Sequence, residues 1–160
     1  MGIVVFRVDD RLVHGQVVIG WGRPLKIDRI VLVEAEVAAS EFEQDLYRMA
    51  VPAGIDVEFL APNDASPRLI QLAADADQRT LVLAGSVDVM VELARACPKV
   101  MLALNLGGIH AGPGRREYLR YIYLTDPEIQ QLESLAASGV DVSAQDLPTS
   151  RPIPLKALRR

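Results

Sequence analysis

Short apolar runs alternate with longer amphipathic stretches from one end of the chain to the other. Residues 3–6, 29–33, 55–60, 80–84, 100–104, 121–124 and 140–144 are rich in Val, Ile, Leu and aromatic side chains. Most are too short for helices and are bounded by Gly, Pro, Asp or Asn, so they predict strands. Several are apolar at consecutive positions, as strands of a parallel sheet are when both faces are covered. The stretches between them carry helix signals. Ser40-Glu41-Phe42-Glu43 has the form of a capping box, with Pro52 beyond the helix end. Ser86 is placed to cap a helix running to Ala96, and residues 64–74 form a further helical stretch. Thr125-Asp126-Pro127-Glu128 is a second capping box, and Gly139 stands where a left-handed residue would close that helix.

This alternation predicts an α/β fold: a single doubly wound domain over residues 1–160, with a mostly parallel central sheet of about seven strands and helices on both faces. The tail, residues 148–160, holds Pro148, Pro152 and Pro154 and is expected to run extended over the surface. Ligands of such sheets bind beyond the carboxyl ends of the strands. That directs attention to the loops at 9–14, 34–39, 61–66, 85–88 and 105–114.

Composition narrows the classes. Half of the 160 residues are hydrophobic and the net charge is −4, which excludes intrinsic disorder. A sequence pI near 5.2 argues against nucleic acid or an anionic membrane as the main partner, since both call for a basic patch. No run reaches the length of a membrane span and no signal pattern opens the chain, so the expected location is cytoplasmic, without direct membrane insertion. One cysteine and two histidines leave no metal-ligand spacing, so neither a metal nor a cofactor is expected.

The richest segment is Asp9-Asp10-Arg11-Leu12-Val13-His14-Gly15-Gln16-Val17, leaving the first strand and entering a helix that reaches toward Trp21. A neutral imidazole is a good nucleophile near neutral pH, suited to accepting and passing on a phosphoryl group. Arg11 offers a planar fork for phosphate oxygens, and Asp9 or Asp10 could hold the proton of one ring nitrogen. Taken alone, the same residues also fit a solvated turn with a local ion pair.

The motif resembles the signature of the IIB subunits of the mannose–fructose–sorbose phosphotransferase system. The similarity continues through Val37-Ala38, Met49-Ala50-Val51-Pro52, Asn105-Leu106-Gly107-Gly108, Tyr123-Leu124-Thr125, Gly139-Val140-Asp141-Val142 and Gln145. The resemblance implies a phosphotransferase component in which His14 accepts phosphate from a IIA phosphohistidine and gives it to a sugar carried by the IIC and IID permease, with a homodimer as one assembly. It makes His14 the phosphohistidine, with Arg11 to stabilise phosphate charge and Asp10 (or Asp9) to orient the ring. Asp9, Gln16, Gly107, Gly108 and His110 are supporting candidates. The chain departs from the family after its second strand, where Glu34-Ala35 replaces the usual Asn-Asp pair and Ser40 stands for a later acid. That departure keeps a second reading open, a regulatory protein that is phosphorylated but not coupled to sugar transport. A binder of a small ligand at the glycine loop near His110 is a third, and it leaves the Asp-Asp-Arg…His motif without a purpose. Trp21 is expected to pack the first helix on the sheet or to anchor a partner. Cys97 reads as a small apolar residue.

Overall fold

The computed structural model describes residues 2–158. Its central sheet has the order β3-β2-β4-β1-β5-β8-β9. The strands are β1 (Ile3–Val8), β2 (Arg29–Val33), β3 (Asp56–Leu60), β4 (Thr80–Ala84), β5 (Ala103–Leu106), β8 (Asp141–Ala144) and β9 (Ile153–Pro154). The first six are parallel to their neighbours; β9 joins β8 antiparallel. A separate hairpin is formed by β6 (Arg116–Leu119) and β7 (Ile122–Leu124).

Alternation along the central strands divides the core. Val31, Val33, Val82 and Ala84 face one layer, where they meet Leu69 and Leu72 of α3 (Pro62–Ala74), Met90 and Leu93 of α4 (Val87–Ala96), and Ile129 and Leu132 of α5 (Asp126–Ala137). Ile30, Leu32, Leu81 and Leu83 face the other, beneath Val17 and Val18 of a π-helical segment (Gln16–Gly22) and Val37 of α1 (Ala35–Ala38). Strands apolar on both faces are the physical reason for the consecutive Val and Leu residues. The amphipathic α2 (Glu41–Met49) lies outside them and buries no residue fully.

The helix ends follow their caps. Ser86 Oγ accepts from the Val89 amide, and Thr125 with Glu128 completes a reciprocal capping box. Ser40 Oγ accepts from the Glu43 amide at 3.2 Å, with no return bond from the Glu43 side chain. Gly139 has φ of +107°, as expected of a left-handed terminator.

Three expectations need correction. Residues 121–124 are not a strand of the central sheet, because Ile122–Leu124 turns back on β6. The tail is not simply extended: it supplies β9, the seventh strand, and then α6 (Leu155–Leu158), which buries Leu155 and Leu158. The strand expected at 100–104 begins at Ala103; Val100 and Met101 are buried as a lead-in. The helix expected toward Trp21 is present, and it is π-helical, a form found mostly as short segments and often at functional sites.

Chain order creates a switch beside β1. From β1 the chain crosses to β2 on the π-helical face, whereas from β5 it leaves through the hairpin and α5 on the opposite face. The loops after β1 and β5 therefore part and leave a crevice at the carboxyl edge.

Candidate functional site

The loop after β1 is shaped by Asp9. Its Oδ1 accepts from the Arg11 amide at 3.1 Å, and its carbonyl accepts from the Leu12 amide at 3.0 Å. Leu12 then takes φ of +61°, a conformation costly for a branched side chain and found where the surroundings enforce it. The reversal buries Val13 and brings His14 back over Asp9.

Asp9 is wholly buried and is the centre of the site. Its Oδ2 accepts from Arg11 Nη2 at 2.9 Å and lies 3.3 Å from His14 Nε2 and 3.6 Å from Arg7 Nη2. A second bond, Arg11 Nε to Oδ1 at 3.0 Å, makes the Arg11 contact bidentate. Burial by itself would raise the Asp9 carboxyl, but the Arg11 hydrogen bonds and the two guanidinium charges outweigh it and hold it below its ordinary value. An ionised carboxylate only accepts, so His14 donates from Nε2 and Nδ1 keeps its lone pair. The His14 side chain is 20 % exposed. Burial pushes its pKa below 6.5 against the opposing pull of Asp9, so the ring is neutral at pH 7. The site can thus present a neutral, oriented and accessible imidazole nitrogen beside an arginine.

Behind Asp9 stands Arg7, a charged residue inside an apolar strand and fully buried. Nη1 donates to Asn105 Oδ1 and to the Gln145 carbonyl, Nη2 to the Asp146 carbonyl at 3.3 Å, and Cζ lies 4.3 Å from the centre of the Trp21 ring. Burial lowers its pKa to about 10, which leaves it charged at neutral pH. Trp21 is 3 % exposed and donates from Nε1 to the Asp146 carbonyl, so it is no surface anchor for a partner. Gln16 bridges the outer rim, accepting from Arg11 Nη1 at 2.9 Å and donating to Asp146 Oδ1 at 2.8 Å.

The two glycines of the β5 loop make room for the two arginines. A Cβ on Gly107 would lie 2.5 Å from Arg7 Cζ, and one on Gly108 would lie 2.9 Å from Arg11 Nη2. Their missing side chains let the β5 loop pack closely on both guanidinium groups. Gly107→Ala is expected to cost about 1–3 kcal/mol by overpacking against a buried guanidinium, read as a lowered melting temperature. An unchanged melt would show that Arg7 has space the geometry denies it.

The structure brings together Asp9, Arg11, His14 and Gln16, and reverses the preference between the two acids. Asp9, not Asp10, meets the His14 ring; Asp10 turns the other way and pairs with His110, whose Nδ1 lies 2.6 Å from Asp10 Oδ1. Arg7, Asn105 and Asp146 carry no role in the motif reading. The available signal was Arg7 itself, a charge in a strand that is otherwise apolar. At the departure from the family pattern, Glu34 and Ser40 act as helix caps: Glu34 accepts from the Glu36 amide at the start of α1, and Ser40 opens α2. Among the described residues no His/Cys/Asp/Glu group is placed to hold a metal ion, and no helix is long and apolar enough to cross a membrane. Hollows of about 760 Å³ between β6 and α5 and about 370 Å³ beside Trp21 are not lined by Asp9, Arg11 or His14.

Comparison with known proteins places these features. The family model for the sorbose-subfamily IIB component of the phosphotransferase system matches residues 3–159. A probable phosphotransferase enzyme IIB component of Streptococcus pyogenes serotype M6 is 30 % identical over 98 % of both chains. The N-acetylgalactosamine-specific phosphotransferase enzyme IIB component 2 of Escherichia coli K12 is 27 % identical over 96 % of both. Among solved structures, manxB of Thermoanaerobacter tengcongensis superposes with a TM-score of 0.83 at 28 % identity, covering 98 % of this chain and 93 % of that one.

Proposed function

The chain belongs to the sorbose subfamily of IIB components of the sugar phosphotransferase system, and from that membership we propose that His14 is its phosphoryl carrier. In this reading His14 accepts a phosphoryl group from a phosphohistidine of a IIA partner and passes it to a sugar at a IIC/IID permease. The observation that carries it is the oriented imidazole. Asp9 holds Nε2–H at 3.3 Å, so the nucleophilic lone pair is on Nδ1, facing away from the buried carboxylate. A relative whose name joins the two functions, the mannose-specific EIIAB component of Escherichia coli K12, is 25 % identical and matches over 46 % of its length; its name supports a IIA donor.

The chemistry follows from the ring's two sides. Nδ1 attacks phosphorus as the phosphorus–nitrogen bond to the donor imidazole breaks. Positive charge developing on the His14 ring is met by Asp9 across Nε2–H, a role of the kind a buried aspartate plays toward a catalytic histidine. Arg11, 33 % exposed and already oriented by Asp9 and Gln16, is the nearest cation for the incoming oxygens. Arg7, fully buried behind it, adds charge to the site without reaching solvent. In the second transfer the phosphorus–Nδ1 bond breaks with its electron pair returning to Nδ1, while a sugar hydroxyl bonds to phosphorus and gives up its proton to water. An open edge suits this exchange, because donor and acceptor proteins must take turns on one face.

The test is transfer from phosphoenolpyruvate through the general phosphotransferase proteins and a IIA protein, read by intact mass and by nitrogen-resolved NMR of the phosphohistidine. One acid-labile phosphoryl group on Nδ1 of His14 is expected. No gain in mass with an active IIA, or phosphate at Nε2, overturns the assignment. Passage from the phosphorylated protein to sugar in permease-containing membranes separates transport from a purely regulatory role.

Acidity supplies a further prediction. Only the neutral ring is nucleophilic, and burial lowers the His14 pKa from 6.5. The initial rate of phosphate uptake, corrected for the pH dependence of the donor, should therefore be level at neutral pH and fall with a midpoint below 6.5. The same depressed pKa withdraws stability as pH drops from 6.5 toward the folded-state value, because the unfolded chain protonates first. A midpoint above 6.5 would contradict both the partial burial of the ring and its neutral state.

A further inference from the structure

We propose that Asp10 and His110 form a clasp between the β1 and β5 loops that positions Arg11 for phosphoryl transfer, making His110 a positioning residue; this rests on His14 as the carrier. Asp10 Oδ2 accepts from the His110 amide at 2.8 Å, Oδ1 accepts from His110 Nδ1 at 2.6 Å, and the Asp10 amide donates to the Gly108 carbonyl at 2.8 Å. His110 is 69 % exposed, so these directed bonds rather than burial hold it.

On its outer side the same loop is tied to rigid structure. Ile109 is buried and exchanges backbone bonds with Tyr121 and Tyr123. Arg115 Nη1 donates to the His110 carbonyl at 2.9 Å, and Arg115 Nε reaches Glu128 Oε1, part of the α5 capping box, at 3.4 Å. The groups facing the clasp are thus Asp10, Arg115 and, through Arg115, Glu128. Asp10 is the link from that framework to the site.

What the link controls is Gly108. Its backbone walls the Arg11 guanidinium: a Cβ there would lie 2.9 Å from Nη2, 3.0 Å from Nε and 3.1 Å from Asp9 Oδ1. The Arg11 side chain is otherwise partly open to solvent. With the clasp released, the wall recedes and the guanidinium gains freedom it must lose again when phosphate arrives. The freed Asp10 carboxylate, adjacent in sequence to Arg11, also competes for that guanidinium and repels phosphoryl oxygens. Both effects weaken a preorganised charge, which is where small displacements cost most.

The experiment compares wild type with His110→Ala and His110→Asn, whose side-chain N–H replaces Nδ1–H toward Asp10. The expected result for His110→Ala is a fall in kcat for uptake from phospho-IIA of ~10–100-fold, with KM and melting temperature little changed. His110→Asn should recover most of the rate. The Arg11 Nε–H NMR signal, protected from exchange in wild type, should be lost in His110→Ala and return in His110→Asn, with no donor protein needed. Wild-type kinetics in His110→Ala, a change in KM alone, an Asn variant as defective as Ala, or an unaltered Arg11 signal each overturn the clasp. If wild type takes no phosphate on His14 while the Arg11 signal responds as described, the carrier reading is what fails.

Discussion

A His14→Ala variant takes up no phosphoryl group from phospho-IIA and remains folded: this is the expected result with the largest effect. In the proposed transfer the replaced ring carries the nucleophile, and no neighbouring side chain can substitute. Asp9 is buried and committed to Arg11, and Gln16 has no basic nitrogen. The chain has two histidines, so phosphate retained by the variant would have to be on His110, whose Nδ1 is engaged by Asp10. The structural cost is small, about 1 kcal/mol or less, because the His14 ring lies at the open rim and makes one side-chain hydrogen bond. Intact mass after incubation with phospho-IIA, paired with thermal melts of both proteins, gives the answer. Uptake at the wild-type rate by a folded His14→Ala protein would remove His14 from the mechanism.

Asp9 carries the second large effect, which divides between stability and chemistry. Asp9→Ala removes a buried carboxylate from between Arg7 and Arg11, leaving two guanidinium groups without their main counter-charge. Losing one partner of a buried ion pair costs about 3–5 kcal/mol, enough to lower the melting temperature of a chain this size by ~10 °C. Asp9→Asn keeps the volume and some hydrogen bonds while discharging the site, so it folds better and isolates the chemical role. Without the carboxylate, the Nε2–H tautomer is no longer enforced and positive charge on the ring is uncompensated. Phosphate uptake should then fall by ~10²–10⁴-fold, by the logic that governs a histidine deprived of its aspartate. Stopped uptake kinetics on Asp9→Asn, with Asp10→Asn beside it, discriminate the two acids. Asp10→Asn is expected to be the milder change, since Asp10 touches the loop and not the ring. An Asp9→Asn protein that transfers at the wild-type rate would show that ring orientation comes from elsewhere.

Acid also acts on this centre. The Asp9 carboxyl is held below its ordinary value in the fold, so its pairing is present above the unfolded-state value and is lost as pH falls through the folded one. His14 loses its contribution earlier, from 6.5 downward. Acid unfolding should therefore begin with the imidazole and finish with the carboxylate.

Much of this molecule was legible along the chain. Residues 29–33 and 80–84 are strands with the expected bounds, because continuous Val and Leu runs of that length suit only a strand covered on both sides. Thr125 and Ser86 announce their helices through local chemistry, since a cap needs only its own neighbours. Which partner a segment pairs with was not written in its composition. The run at 121–124 has the composition of a sheet strand, yet its pairing partner is the adjacent β6 and no strand of the central sheet. The tail reads as extended because of its prolines, yet Pro154 pairs at an edge, where a missing amide can be tolerated.

The site divides in the same way. Residue types and local spacing by themselves determined that an imidazole, an arginine and two adjacent acids leave the first strand together, and the resemblance they carry pointed to phosphoryl transfer. Tertiary structure alone decided which acid serves the ring. Neighbouring residues in a tight turn point apart, and only the turn at Leu12 puts Asp9 beneath His14 and sends Asp10 to His110, 100 positions away. It also decided why Gly107 and Gly108 are glycines. Their missing side chains are the space occupied by Arg7 of β1 and Arg11 of the loop after it, a fit between β1 and the β5 loop, whose strands are adjacent in the sheet and far apart in the chain.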